Sequence, residues 1–322
     1  MKLLSRLGIS PHKLMMPHKS QLHGEPGRSG KGLRGALTGL LGAALLCIPV
    51  PALACTLYAA QGTAVADGGT IAAKNRDWRP QEQSLHLSEP RQPGGYRYYG
   101  LYGGPFERHQ LRGGVNEAGL VAYSAAVSSV TKKQKAAAAE AHPPVQGTLR
   151  KVLERYATVE EAVQHPELFQ GVRFVMLADR SEVAWIEGGL DGEVRIERRQ
   201  NGVLAHTNHY LIADLAAQNE KYYESSHKRY DRVMELLQTQ KQYTLADFIR
   251  IGEDQTAGPV NSLWRTGDET SHTQTVAQMV VWLRPDGDFT VYVKYRAAAD
   301  AAGHEQTVRL TKQEIFDNIT PQ

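Results

Sequence analysis

The stretch Ala52-Leu53-Ala54-Cys55-Thr56-Leu57-Tyr58 decides how the rest of the chain is read. Ala52 and Ala54 are the small residues that signal peptidase selects three positions and one position before its cut. A cut after Ala54 makes Cys55 the first residue of the mature protein. That residue then carries a thiol nucleophile and, in its own α-amine, a base able to take the thiol proton directly or through one water.

Upstream of the cut, Lys31 and Arg34 form a positive region, and 33–50 is an apolar run rich in Leu, Ala and Gly. Gly35, Thr38, Gly39 and Gly42 interrupt that run, and Pro49 and Pro51 end it. These flanks favour a cleaved signal over a retained membrane anchor. Residues 1–54 are therefore expected to be a leader that is removed, and 55–322 a single domain of 268 residues. Residues 1–27 are long for the region before an apolar run, and Met15 and Met16 offer alternative starts.

The leader also distorts the charge balance. It holds seven of the 37 Lys and Arg and one of the 34 Asp and Glu, so residues 55–322 carry 30 basic and 33 acidic side chains, a net charge of −3. That balance gives no support to a nucleic-acid partner. Of the two cysteines, Cys47 leaves with the leader, and Cys55 stays without a disulfide partner. An oxidising compartment, periplasmic or extracellular, makes a lone cysteine either a liability or a functional thiol. The rival reading is lipidation of Cys55, giving a lipid-anchored binding protein without catalysis. Lipoprotein signals usually place Leu at −3 and a small residue at −2, and here Ala52 and Leu53 stand the other way round.

Downstream, Thr56 to Ala66 and Thr70 to Trp78 read as strands joined at Asp67-Gly68-Gly69. Such a hairpin returns Lys74-Asn75-Arg76-Asp77 to the side of Cys55. Short strands and loops are expected over 79–108, a turn at Asn116-Glu117-Ala118-Gly119, and a strand over 120–127. Residues 131–146 read as a loop or a short helix. Helices are expected at 147–156, 159–165, 214–238 and 245–252, with Tyr222, Tyr230, Val233, Leu236 and Leu237 on the inner face of the third. Strands are expected at 172–178, 182–187, 194–198 and 203–207, and a final hairpin at 276–283 and 289–295. The order of strands, helices, strands, helices, strands suits an α+β arrangement of two antiparallel sheets between helix layers.

Amide hydrolysis needs a nucleophile, a base, an oxyanion donor and a group to hold the base. Cys55 supplies the first two. Asp77 is a candidate to orient the amine, and Arg76 and Lys74 are candidates to favour the thiolate. His206 and His209 lack an acidic partner cluster and a His-Glu-x-x-His pattern, so structural roles are expected and no metal. Gly258 to Arg265 is a candidate pocket loop in which Trp264 serves equally well as a core anchor. Ser124 to Ser129 lacks a Gly-x-Ser-x-Gly elbow.

The opening Cys55-Thr56 and the hairpin into Lys74-Asn75-Arg76-Asp77-Trp78 resemble the choloylglycine hydrolase family. That family includes bile salt hydrolases and penicillin V acylases, alongside related acyltransferases acting on penicillin precursors. Its hairpin typically closes on Arg-Asn-x-Asp. Val115 to Leu120 is similar to its Asn-Glu-x-Gly-Leu turn, Leu204 to His209 to its Leu-Thr-Asn segment, and Ser225 to Tyr230 to its Ser-Ser-x-x-Arg-Phe helix start. The ordered set covers most of 55–230.

The resemblance implies a four-layer αββα sandwich of the N-terminal-nucleophile hydrolases. It implies Cys55 as nucleophile, Asp77 binding its α-amine, Asn208 donating to the oxyanion, and Arg229 beneath the site. Two departures stand out. Lys74 replaces an arginine, turning a bidentate clamp into a point charge. The family's further Asn or Tyr past the Asn-Glu-x-Gly turn is absent or shifted to Tyr123. The expectation is a cofactor-free, periplasmic or secreted hydrolase of a linear N-acyl amide, matured by signal peptidase and not spanning the membrane. A homo-oligomer is compatible with it. Acyl transfer from the same thioester is the alternative. Penicillin V, conjugated bile acids, acylated homoserine lactones and N-acyl amino acids all remain open as substrates.

Overall fold

A computed structural model describes residues 54–104 and 110–317. The leader assigned to residues 1–54 lies outside the described residues except for Ala54. All described residues fall within one compact unit. In chain order the strands are β1 (Ala54–Gln61), β2 (Thr70–Trp78), β3 (Gln83–Ser88), β4 (Tyr98–Gly103), β5 (Gln110–Asn116), β6 (Val121–Ala125), β7 (Arg173–Ala178), β8 (Val183–Gly188), β9 (Val194–Arg199), β10 (Gly202–His206), β11 (Gln274–Leu283), β12 (Phe289–Tyr295) and β13 (Gln306–Thr311). The helices are α1 (Lys132–Ala141), α2 (Thr148–Arg155), α3 (Val159–Val163), α4 (Ala213–Ala216), α5 (Glu224–Leu236), α6 (Leu245–Gly252), α7 (Gly258–Asn261) and α8 (Lys312–Phe316).

Two antiparallel sheets form, in the orders β10-β1-β2-β11-β12-β13 and β3-β4-β5-β6-β7-β8-β9. The side-chain period of two sorts each strand between two cores. Leu57, Ala59 and Ala72 of the first sheet meet Tyr123, Phe174 and Met176 of the second in a core between the sheets. The alternate residues Tyr58, Ala60, Ile71 and Ala73 face outward onto Val233 of α5 and Phe248 and Ile251 of α6. On the far side, Val175, Leu177 and Ile186 pack on Leu149 and Val152 of α2 and Val159 of α3. The fold is thus α+β, with the layers αββα. Strands buried on both faces explain why β1 and β11 read as nearly continuous apolar runs.

Local signals account for most boundaries. Gly68 takes φ +78° in the β1–β2 hairpin, where a Cβ would be strained. Thr131 and Gln134 form a capping box that starts α1, so 131–146 contains a helix rather than only a loop. Thr244 and Asp247 do the same for α6.

Three expectations need correction. The single helix expected over 214–238 is two, α4 and α5. Asn219 breaks it, because its side chain bonds both the N–H and the carbonyl of Tyr210 at 2.9 Å. Tyr222 consequently lies outside α5, exposed and stacked on His227 rather than on an inner face. Beyond the final hairpin, β13 adds a strand to the first sheet and α8 follows it, over residues for which no element was expected. Among the described residues no helix is long and apolar enough to cross a membrane.

Candidate active site

Pairing of β1 with β2 sets Cys55 opposite Arg76, and Ala54 opposite Asp77. The alternation along β2 then divides the Lys-Asn-Arg-Asp run in two. Lys74, Arg76 and Trp78 share the inter-sheet face with Cys55 and line a cavity of about 860 Å³. Asn75 and Asp77 point the other way, toward the helices. Asn75 donates to the carbonyls of Gly252 and Leu263 at 2.7 and 2.8 Å, which ties β2 to the end of α6.

On the cavity side, Lys74 Nζ lies 3.7 Å from Cys55 Sγ and also donates to the carbonyl of Ser124. Both side chains are buried. Burial pushes the Lys74 ammonium down to about 8, opposed by the sulfur and reinforced by Arg76 and Arg112. At neutral pH the group is still mostly protonated.

Behind Cys55, Asn208 lies just past β10. Its Oδ1 accepts from the Cys55 N–H at 3.0 Å and from Arg229 Nη2 at 2.9 Å. That double use fixes which end of the amide is oxygen. Nδ2 donates one hydrogen to the Ala126 carbonyl at 2.8 Å, and an amide nitrogen has a second. Arg229, on the inner face of α5, also donates to the Cys55 carbonyl at 2.9 Å and to Thr56 Oγ1 at 2.8 Å. Ser226, one turn earlier, holds the Asn208 N–H at 3.0 Å. The Ser-Ser-x-x-Arg pattern thus supports the start of β1 from beneath.

Asp77 is fully buried. Its Oδ1 accepts from Thr275 Oγ1 at 2.8 Å, and its Oδ2 has no hydrogen-bond partner. Arg229 and Arg265 stand 3.8 and 3.7 Å from Oδ2. Burial raises the carboxyl above its usual range, and the two arginines oppose that shift. In the chain continuous through Ala54, the Cys55 nitrogen is therefore held by Asn208, not by the carboxylate assigned to it from sequence. Ala54 lines the cavity, and Asn208 does not.

Cys55, Lys74, Asn208 and Arg229 thus come together, with Arg76 on the same face and Asp77 beneath. Tyr123 does not join them. It lies in the inter-sheet core with its hydroxyl 3.5 Å from the Met279 carbonyl, and its neighbours Ser124, Ala125 and Ala126 line the cavity instead. The 258–265 segment, expected as a loop, begins with the short helix α7 and stays away from the cavity, and Trp264 is buried under Lys294. Asn116 is a joint rather than a reacting group: it donates to the carbonyls of Leu153 and Tyr156 and accepts from the Leu120 N–H. His206 is buried 2.7 Å from Glu187 and stacked on Trp185. Sequence reasoning missed Arg112, Arg265 and Thr275. Thr275 arrives through the pairing of β11 with β2, and Arg265 is held beside it by backbone bonds to Thr275.

The chain matches the model of the family described as acyl-coenzyme A:6-aminopenicillanic acid acyl-transferase over residues 65–295. That segment holds Lys74 to Arg265 and starts beyond Cys55. Comparison with curated proteins finds no match. Among solved structures, the N-acylethanolamine-hydrolyzing acid amidase ortholog of Caenorhabditis elegans is similar at 16% identity and TM-score 0.50, covering 70% of this chain and 91% of that one. That likeness supports the fold. Penicillin V acylase from Agrobacterium tumefaciens is similar at 15% identity and TM-score 0.46, covering 74% and 82%. A mutant conjugated bile acid hydrolase from Clostridium perfringens stands at 13% and 0.47, covering 80% and 92%.

Proposed function

The chain belongs to the acyl-coenzyme A:6-aminopenicillanic acid acyl-transferase family, and from that premise we propose that it is an exported enzyme that breaks a linear N-acyl amide through Cys55. The observation that carries this reading is the setting of Cys55. Its sulfur faces a large cavity 3.7 Å from a buried ammonium, while its nitrogen is bonded to Asn208.

Removal of residues 1–54 turns the Cys55 amide nitrogen into an amine. It also takes away Ala54, which lines the cavity where Asn208 does not. The new amine has more donors than the peptide N–H it replaces. Asp77 Oδ2, buried without a hydrogen-bond partner, is the acceptor that suits one of them. The amine takes the thiol proton, and Sγ bonds to the substrate carbonyl carbon. The oxyanion lies within reach of the second Asn208 Nδ2 hydrogen. As the C–N bond breaks, the leaving nitrogen takes the proton from the amine. Water then attacks the thioester, and the thiol returns. Lys74 stays charged throughout and balances negative charge on the sulfur.

A second reading is acyl transfer, which the family description favours. The same thioester passes to an amine instead of water. Export to the periplasm or the medium follows from the leader and accounts for a single free cysteine.

The test is N-terminal mass spectrometry of the purified protein, followed by a panel of N-acyl amides read by amine release, with Cys55→Ala as control. A free Cys55 terminus and loss of turnover in Cys55→Ala are expected. A diacylglyceryl adduct on Cys55, or turnover that survives the substitution, sinks the proposal. Adding a second amine separates the two readings: transfer gives a new amide in place of the free acid.

A further inference from the structure

The cavity carries a charge arrangement that amide cleavage alone does not require. Arg76 and Arg112 flank Trp78, with guanidinium carbons 5.1 and 5.6 Å from the centre of its ring. Arg76 is only 2% exposed. Its Nε donates to Gln83 Oε1 at 2.7 Å, and its Nη2 is buried with no partner. Arg112 gives Nε and Nη2 to the Gly103 carbonyl at 3.2 and 3.1 Å. Gly103 makes the packing feasible, since a Cβ there would lie 2.9 Å from Arg76 Nε.

Neither arginine forms an ion pair among the described residues. Of the carboxylates lining the cavity, Glu154 is committed to Arg150 at 2.7 Å. Burial first, and repulsion from Arg112 second, brings Arg76 down to about 9. Lys74 is depressed by burial first and then by Arg76 and Arg112. Buried Lys74 and Arg76 and half-buried Arg112 thus share one region of the cavity with no ion pair to Glu89 or Glu154, the lining carboxylates among the described residues. Such a cluster costs stability unless an anion joins it. The arginine position is also where the Arg-Asn-x-Asp pattern leaves its residue unspecified, so this charge is the chain's own choice.

Position fixes what the anion is attached to. Arg76 is the direct cross-strand partner of Cys55, and both side chains are on the cavity face. Directly opposed Cβ atoms lie about 5 Å apart. A group held by Arg76 Nη2 is therefore within about one residue's length of the atom that attacks. A planar carboxylate matches a guanidinium fork.

We propose that Arg76 and Arg112, braced on Trp78, form an anion subsite that binds a carboxylate of the substrate within a few bonds of the scissile amide, so that carboxylate-bearing amides such as N-acyl amino acids are preferred over neutral N-acyl amines and lactones. The inference rests on the reading of Cys55 as the attacking atom. It deepens that reading by naming the substrate class.

Alkylation of Cys55 tests the subsite without requiring turnover. Iodoacetate and iodoacetamide are nearly equal in size, differ in charge, and each loses iodide as sulfur bonds to carbon. Peptide mass mapping follows the Cys55 adduct in the purified protein. The subsite predicts that iodoacetate reacts faster than iodoacetamide by about tenfold at low salt, and that the ratio falls as salt is raised. Arg112→Gln and Arg76→Gln each bring the ratio close to one, while Arg76→Lys keeps most of it. Equal rates in the unaltered protein overturn the proposal. So does a preference that survives both glutamine substitutions, because Lys74 alone then accounts for it.

Should Arg76→Gln fail to fold, protection of the unaltered protein decides the matter. N-octanoylglycine is expected to slow iodoacetamide labelling, and N-octanoylglycinamide is not. Protection by both or by neither counts against the subsite. A protein that shows these preferences but cleaves no amide keeps the anion subsite and loses the proposed reaction, so the two failures are distinguishable.

Discussion

Lys74 Nζ and Cys55 Sγ lie 3.7 Å apart, both buried, on directly adjacent strands. The pattern this hairpin resembles carries arginine in place of Lys74. The exchange matters because a guanidinium stays charged at any working pH, whereas a buried ammonium titrates. Burial has already brought this one to about 8.

The first prediction concerns pH. The α-amine of a matured Cys55 acts as a base only when neutral, which gives turnover a rising limb near its ordinary value of about 8. Lys74 holds its charge only below about 8, which gives a falling limb. The expected profile is a narrow bell. Lys74→Arg should move the falling limb upward by one pH unit or more, an order-of-magnitude expectation, and leave the rising limb in place. A profile of kcat/KM against pH checks this, and an unmoved falling limb removes Lys74 from the titration.

A second prediction separates stability from activity. The folded-state value of Lys74 lies below its unfolded value of 10.5. Between about 8 and 10.5 the unfolded chain binds more protons, so stability rises with pH across that window. Below it the full cost of burying the ammonium is present. Lys74→Met should therefore stabilise the fold at pH 7, by on the order of 1–2 kcal/mol after loss of the bond to the Ser124 carbonyl, and abolish most turnover. The gain should shrink as pH approaches 10. Urea unfolding at pH 7 and pH 10 reads both values, and a substitution that destabilises at pH 7 contradicts the assignment.

Asp77 gives a third. It separates Arg229 and Arg265, each within 4 Å of its Oδ2. Asp77→Asn leaves two buried cations facing one another and should cost about 3–5 kcal/mol. If the carboxylate also holds the Cys55 amine, kcat per folded molecule should fall as well, by more than in Lys74→Arg. Measuring the folded fraction alongside the rate separates the two effects. An unchanged rate per folded molecule leaves Asp77 with a structural role only.

Much of this arrangement is legible in the sequence, and the limits have physical causes. The β1–β2 hairpin, the α6 cap at Thr244 and the strands of the second sheet follow from turn residues and alternation. Cys55, Asn208 and Arg229 follow from motif order. The division of Lys74 and Arg76 from Asp77 is also implicit in a two-residue period, but it becomes visible only once the register with Cys55 is known. Arg112 reads as one charge in a Gly-rich strand, and nothing local marks its approach to Trp78. Thr275 meets Asp77 through a strand pairing 198 residues apart, and Arg265 comes with it through its bond to Thr275. Tyr123 is only one alternative for a family position that is otherwise absent, and strand parity turns it into the core. The break at Asn219 depends on a tertiary bond to Tyr210, which helix propensity does not encode.

The last prediction links the site to acid. His209 sits 2.8 Å from Ser226 Oγ, which in turn holds the Asn208 N–H at 3.0 Å. Its ring stacks on His227 at 3.9 Å between centroids. Burial, then the neighbouring His227, His206 and Arg229, push it down to about 3. The folded protein therefore keeps this imidazole neutral where the unfolded chain, with an ordinary value of 6.5, takes a proton. By linkage, its contribution is complete above 6.5 and is lost as pH falls toward 3. Loss on the order of 2–4 kcal/mol is expected over that range from this residue. His209→Gln should cost stability at pH 7 through the lost stacking, yet lose less than the unaltered protein between pH 6.5 and 4. Because the ring stays neutral in the folded protein down to about 3, its bond to Ser226 and through it Asn208 is kept while the fold holds, so His209 should add no loss of turnover per folded molecule over the same interval. Denaturation midpoints and rates at pH 7, 5.5 and 4 test both statements; parallel losses in the two proteins would show that other groups govern the acid response.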